Sequence, residues 1–128
     1  MFSHNLGIRI TNQYSGPDGR LCYADVEING CVTRLVCVYA PNHPSGRQRF
    51  FAEDLSACLS QSDNNVIAGD FNCVHSFSLD TLNGSVNSEA GSSELGDLCT
   101  SFNLHDLWRV NNNQDRKYTW RRAGNETN

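Results

Sequence analysis

No apolar run in this 128-residue chain approaches the ~20 residues that a bilayer-spanning helix requires, so no membrane association is expected. Six cysteines are present (Cys22, Cys31, Cys37, Cys58, Cys73 and Cys99), yet no two form a Cys-x-x-Cys pair, which removes zinc-ribbon and thioredoxin-like readings. Most of them fall in apolar runs, where a free cysteine behaves as a small hydrophobe. Met1 to Ile10 has neither the basic start nor the apolar core of a secretory leader. Together these features predict free thiols in a reducing, intracellular compartment, nucleus or cytoplasm. Of the four histidines, His43 and His75 lie near polar motifs, but no pair has ligand spacing on one helix or strand, and no metal ligand is assigned. There is no internal repeat. The hydrophobic content, 38%, is low for a self-sufficient core.

The charge present is unevenly spread. Residues 109–128 hold Arg109, Arg116, Lys117, Arg121 and Arg122 against Asp115 and Glu126, for +3. The net charge is −4, so the first 108 residues carry −7. An acidic body with a basic, aromatic tail is compatible with nucleic-acid binding through the tail, or with a solvated surface strand.

Taken in order, Leu6 to Thr11 alternates as a strand and residues 15–19 form a turn. Arg20 to Ile28 alternates again, Asn29-Gly30 is a strong hairpin signal, and Cys31 to Tyr39 returns as the next strand. Ser45 and Gln48 fit a capping box for a helix whose Phe51, Leu55, Cys58 and Leu59 form an apolar stripe, which Phe50 extends. Residues 73–91 read as loop. A second helix is expected from about Ser93 to Phe102. Leu104, Leu107, Trp108 and Val110 read as a segment docked on the core, Asn111 to Gln114 as a turn, and Tyr118 to Arg121 as a short strand.

Two segments carry chemistry. Val66 to Ala68 reads as a fully buried strand running into Gly69-Asp70-Phe71-Asn72. Period-two geometry sets Asp70 and Asn72 on one face, with Phe71 turned into packing. A carboxylate can orient a water and take its proton, and a carboxamide can donate to a phosphate oxygen. On these residues alone, a strand followed by an Asx turn is the simpler reading. Upstream, Leu35 to Tyr39 is a second apolar run, closed by Pro41 and followed by Asn42. If the two strands are neighbours in a sheet, their polar ends make one site.

The motifs Tyr39-Ala40-Pro41-Asn42 and Gly69-Asp70-Phe71-Asn72 resemble the endonuclease/exonuclease/phosphatase (deoxyribonuclease-I-like) superfamily. Arg49-Phe50-Phe51, Leu104-His105-Asp106-Leu107-Trp108-Arg109 and Tyr118-Thr119-Trp120 narrow the resemblance to the apurinic-endonuclease-like domain of LINE-type (non-LTR) retrotransposon polyproteins. The resemblance implies an α/β fold, a partial four-layer sandwich of mixed, mainly antiparallel sheets with covering helices. It implies a Mg²⁺-dependent phosphodiesterase acting on DNA. Asp70 would then orient and deprotonate the attacking water, Asn72 would hold a phosphate oxygen, and Tyr39 would place its hydroxyl at the phosphate or leaving oxygen. Asn42 would shape its loop or contact substrate, and Thr119 and Arg121 would meet DNA.

The resemblance also implies missing parts. The family's main Mg²⁺ ligand is a Glu upstream of the first motif, and its closing Asp-His pair lies near the C-terminus. Glu27 and Glu89 do not stand in that context, and no Asp-His dipeptide occurs. Residues 1–128 are therefore expected to be one partial domain, inactive alone, with exposed strand edges and an unfinished core. Alternatives are a non-catalytic nucleic-acid-binding module and a phosphatase-type member of the same superfamily.

Overall fold

The computed structural model describes residues 7–81 and 89–118. The fold is α/β, one mixed four-stranded sheet with helices on one face. The strands β1 (Ile8–Ser15), β2 (Leu21–Ile28), β3 (Cys31–Tyr39) and β4 (Asn65–Asp70) lie in sequence order across the sheet. The pairs β1–β2 and β2–β3 are antiparallel, and β3–β4 is parallel. The β2–β3 hairpin closes on Ile28 opposite Cys31. Its two turn residues, Asn29 (φ 52°) and Gly30 (φ 81°), both have the positive φ that a two-residue type I′ connection demands.

Between β3 and β4 the chain crosses over the sheet. The crossover begins as α1 (Pro44–Arg49), continues as a π-helical segment (Phe50–Leu55) and ends as α2 (Ser56–Leu59). The expected capping box is not what starts it. His43 is the N-cap and makes no side-chain cap, while Pro44 occupies the first turn, where a missing N–H costs nothing. The expected stripe is correct: Phe51, Leu55, Cys58 and Leu59 are buried, and Phe50 joins them. They pack on Leu21, Val36, Val38 and Ala40 of the sheet. A short α3 (Phe77–Asp80) interrupts the expected loop, and α4 (Ser92–Ser101) adds Leu95 and Leu98 to the same core.

A polar latch ties three strands to the helical layer. Asn12, Asp25 and Arg34 are register partners across β1, β2 and β3. Arg34 Nε and Nη2 donate to the Asp25 oxygens at 2.7 and 2.9 Å, and Asn12 Nδ2 donates to Asp25 Oδ2 at 3.1 Å. Arg34 Nη1 donates to the Cys58 carbonyl at 2.7 Å, and the guanidinium lies 3.8 Å from the Tyr23 ring centroid. At 3% exposure, Arg34 survives burial because each side of its fork meets an acceptor.

Among the described residues, no helix covers the opposite face of the sheet. Leu35, Tyr39 and Val66 are roughly half exposed, and Cys22 and Cys37 are exposed beside them. This corrects the reading of β4 as fully buried: Val66 is 51% exposed, and only Ile67 faces the core. Among the described residues β4 is an edge strand covered on one side, and a run as short as Val66-Ile67-Ala68 cannot report which. The described residues supply two layers, one sheet and one set of helices. The C-terminal docking segment is also corrected. Leu104 packs on the core, but α5 (Leu107–Asn111) leaves Leu107 72% and Val110 65% exposed. Asn111 closes that helix, and the expected turn follows it, with the Asp115 N–H donating to the Asn112 carbonyl at 3.3 Å. The expected strand at Tyr118–Arg121 falls almost wholly outside the described residues.

Candidate functional site

The two sequence motifs meet. β3 and β4 are parallel neighbours, and the register pairs Tyr39 with Asp70 at the carboxyl ends of both strands. In open α/β sheets this is the edge at which ligands bind. Tyr39 is 48% exposed and Asp70 is exposed, so both are open to a ligand.

The site is fixed by the backbone beyond the ladder. The Ala40 N–H donates to the Asp70 carbonyl at 2.8 Å, and Asn72 Nδ2 donates to the Ala40 carbonyl at 2.7 Å. Ala40 is fully buried, so Asn72 satisfies an acceptor that water does not reach. Asn72 has φ 49°, a left-handed conformation that Asn tolerates better than most residues. The strand ends at Asp70, so period-two alternation does not extend to Asn72. Asp70 Oδ1 instead accepts the Asn72 N–H at 2.9 Å, an Asx-type turn. Among the described residues, Asp70 Oδ2 has no protein partner, and the residue is exposed. The Asn72 amide is committed in part to clasping the two strand ends, while its Oδ1 stays open. Phe71 turns inward as expected, 6.4 Å from Phe51 between ring centroids.

Three residues to which the sequence reading gave no role build this edge. Gly69 has φ 140°, and a Cβ there would lie 1.9 Å from the Val38 carbonyl oxygen. Only glycine lets β4 come this close to β3 just before Asp70. Arg47, 2% exposed, donates to the carbonyls of Pro41 (3.3 Å), Asn42 (3.0 Å) and Ala90 (2.7 Å). It binds the loop after Tyr39 to the segment that leads into α4. Arg20 touches Tyr39 directly, with its Cζ 5.5 Å from the ring centroid. Of the three, Gly69 alone left a signal in the sequence, as a glycine at a strand end.

The remaining expected residues are dispersed or lie elsewhere. Asn42 is exposed, and its carbonyl is held by Arg47. Thr119 and Arg121 fall outside the described residues. Asp80 accepts from Arg109 and from the Ser76 N–H, so it braces α3 against α5. Arg109 also lies 4.7 Å from the Trp108 ring centroid. Arg116 and Lys117 are exposed. A surface groove of about 570 Å³ lies among Tyr14, Cys22, Leu35 and Cys37 and excludes Asp70.

Metal fit can be judged from the donors. Among the described residues, no three His, Cys, Asp or Glu side chains converge. Mg²⁺ asks for near-octahedral oxygens, and Asp70 offers one free carboxylate oxygen. These residues do not hold Mg²⁺ by themselves. All six thiols are unpaired. Burial pushes the Cys73 thiol, near Asp70, up to about 11. Among the described residues, no helix is long and apolar enough to cross a membrane.

No protein-family model matches the chain. It is 34% identical, over 128 aligned positions that take in 96% of its length, to part of the "Transposon TX1 uncharacterized 149 kDa protein" of Xenopus laevis. It spans 9% of that protein's length. The chain is thus similar to one segment of a transposon protein along nearly all of its own length.

Proposed function

We propose that this chain is the middle of a phosphodiesterase domain, a DNA endonuclease of a LINE-type retrotransposon protein. The observation that carries the reading is the register pairing of Tyr39 with Asp70 at the carboxyl edge of two parallel strands. Similarity to a transposon protein over 96% of the chain supports it. In this reading Asp70 Oδ2 accepts a proton from the attacking water, while Oδ1, held by the Asn72 N–H, keeps the carboxylate aimed. The Tyr39 hydroxyl meets the phosphate or the leaving oxygen. Asn72 acts chiefly as a clasp that sets Asp70 beside Tyr39, with its open Oδ1 and second N–H left for substrate. Mg²⁺, when bound, would neutralise charge developing at phosphorus. Its ligands would have to come largely from outside the described residues, so little turnover is expected from this chain alone. Catalytic groups that act as a unit are strongly non-additive.

A second reading, a non-catalytic nucleic-acid-binding module, is favoured by the isolation of Asp70 from any other metal-ligating side chains among the described residues. Plasmid nicking separates the two. In a longer protein that contains this chain, Asp70→Ala is expected to lower Mg²⁺-dependent nicking by roughly 10²–10⁴, the usual contribution of a general base. Nicking unchanged by the substitution would refute the assignment. With the isolated, folded chain, no nicking is expected. Nicking by it that Asp70→Ala abolishes would show a complete site within these residues.

A further inference from the structure

We propose that Arg20 is the phosphate-binding cation of this site, held ready by Asp18 in the absence of substrate. The inference rests on the phosphodiesterase reading and names the group that receives the substrate's charge. A site built around Asp70, in a segment of the chain that carries −7, repels a phosphodiester unless a cation stands beside it. Most described cations are occupied elsewhere. Arg34 and Arg47 are buried among acceptors. Arg9, Arg49 and Arg109 pair with Glu27, Glu53 and Asp80. Arg116 and Lys117 lie beyond α5.

Arg20 differs in place and in availability. Its residue is locked to Tyr39 by backbone, the Tyr39 N–H donating to the Arg20 carbonyl at 2.8 Å. Its side chain follows: Nη1 donates to the Tyr39 carbonyl at 3.3 Å, and the guanidinium sits 5.5 Å from the Tyr39 ring centroid. Tyr39 is in turn the register partner of Asp70. The Arg20 pair with Asp18 is long and wet, 3.6 Å with side chains 35% and 64% exposed. Such a pair is weak and readily exchanged for a better acceptor. Among the described residues, Nη2 has no protein partner. Beside the guanidinium lies an open cleft of about 220 Å³, lined also by Asp18, Pro41, Arg49 and Asp54 but not by Tyr39 or Asp70. A guanidinium whose Nη2 is free and whose Nε is held only by this long, wet pair, beside the Tyr39 ring, offers the fork that a phosphate's non-bridging oxygens accept.

The test is binding of a short fluorescein-labelled DNA duplex to the whole chain, without metal, by fluorescence anisotropy at several salt concentrations. Arg20→Ala is expected to weaken binding on the order of tenfold at about 50 mM salt and to lower the salt slope by about 0.9, one released counterion. Arg20→Lys should keep the slope. Arg9→Ala, which removes the same charge from the far edge of the sheet, should change affinity less than about twofold. Asp18→Asn should tighten binding, a gain that misfolding cannot mimic. Wild-type affinity and slope in Arg20→Ala, an equal loss in Arg9→Ala, or no gain in Asp18→Asn would each overturn the assignment of Arg20 and leave the site reading standing. Failure of the wild-type chain to bind DNA would overturn both.

Discussion

Removing the carboxylate of Asp25 should unlatch the fold. Asp25→Ala leaves the Arg34 guanidinium, 3% exposed, with the Cys58 carbonyl and the Tyr23 ring but without its counter-charge. Breaking one side of a buried pair costs about 3–5 kcal/mol, against roughly 5–15 kcal/mol for a whole domain. With a urea dependence of about 1–3 kcal/mol/M, the unfolding midpoint followed by circular dichroism should fall on the order of 2 M. The double substitution Asp25→Leu with Arg34→Met removes both charges and should lie within about 1 kcal/mol of the natural chain. A pH series adds a second reading. Hydrogen bonds from Arg34 hold the Asp25 carboxyl below its ordinary pKa, against burial, which raises it, and with help from Asn12. A depressed folded pKa means that the stabilisation is complete above the unfolded value, about 3.9, and is lost as pH falls through the lower folded one. The difference between natural chain and Asp25→Ala should therefore be constant near neutrality and shrink below about pH 4. A loss under about 1 kcal/mol, or a double variant as unstable as the single, would refute the account of the latch.

Two further outcomes test the sheet. Gly69→Ala forces a Cβ to within 1.9 Å of the Val38 carbonyl oxygen at a φ of 140° and should cost about 3 kcal/mol or more. A thermal midpoint lowered by less than about 4 °C would contradict the close approach of β4 to β3. Thiol titration at pH 8 should find Cys22, Cys31 and Cys37 fast and Cys58, Cys73 and Cys99 slow, because the first three are exposed and burial raises the pKa of the others. All six should react at once in denaturant, and six fast thiols in the native protein would mean that the core is open.

Local chemistry made much of this chain legible. Asn29-Gly30 permits little but a hairpin, because both residues accept positive φ. Pro41 ends β3 because it cannot donate to a ladder. The stripe of Phe51, Leu55, Cys58 and Leu59 needs only helical periodicity to be seen. Each of these signals lies within a few residues of its effect. The unpaired state of the six cysteines followed from composition, although three of them are exposed rather than in the core.

Tertiary structure decided the rest. Which face of β4 is covered depends on where the helical layer lies, not on Val66 and Ala68 themselves. The juxtaposition of Tyr39 and Asp70 needed a parallel register between segments about thirty residues apart. Asn72 left strand geometry because Ala40, from the neighbouring strand end, required a donor. Arg47 and Arg34 carry no local mark of burial, since only the converging carbonyls and the Asp25 carboxylate make a buried guanidinium affordable. Local patterns marked most of the elements, though not α3 or α5, and the residues able to do chemistry. Long-range pairing, which no local pattern encodes, determined which of them meet.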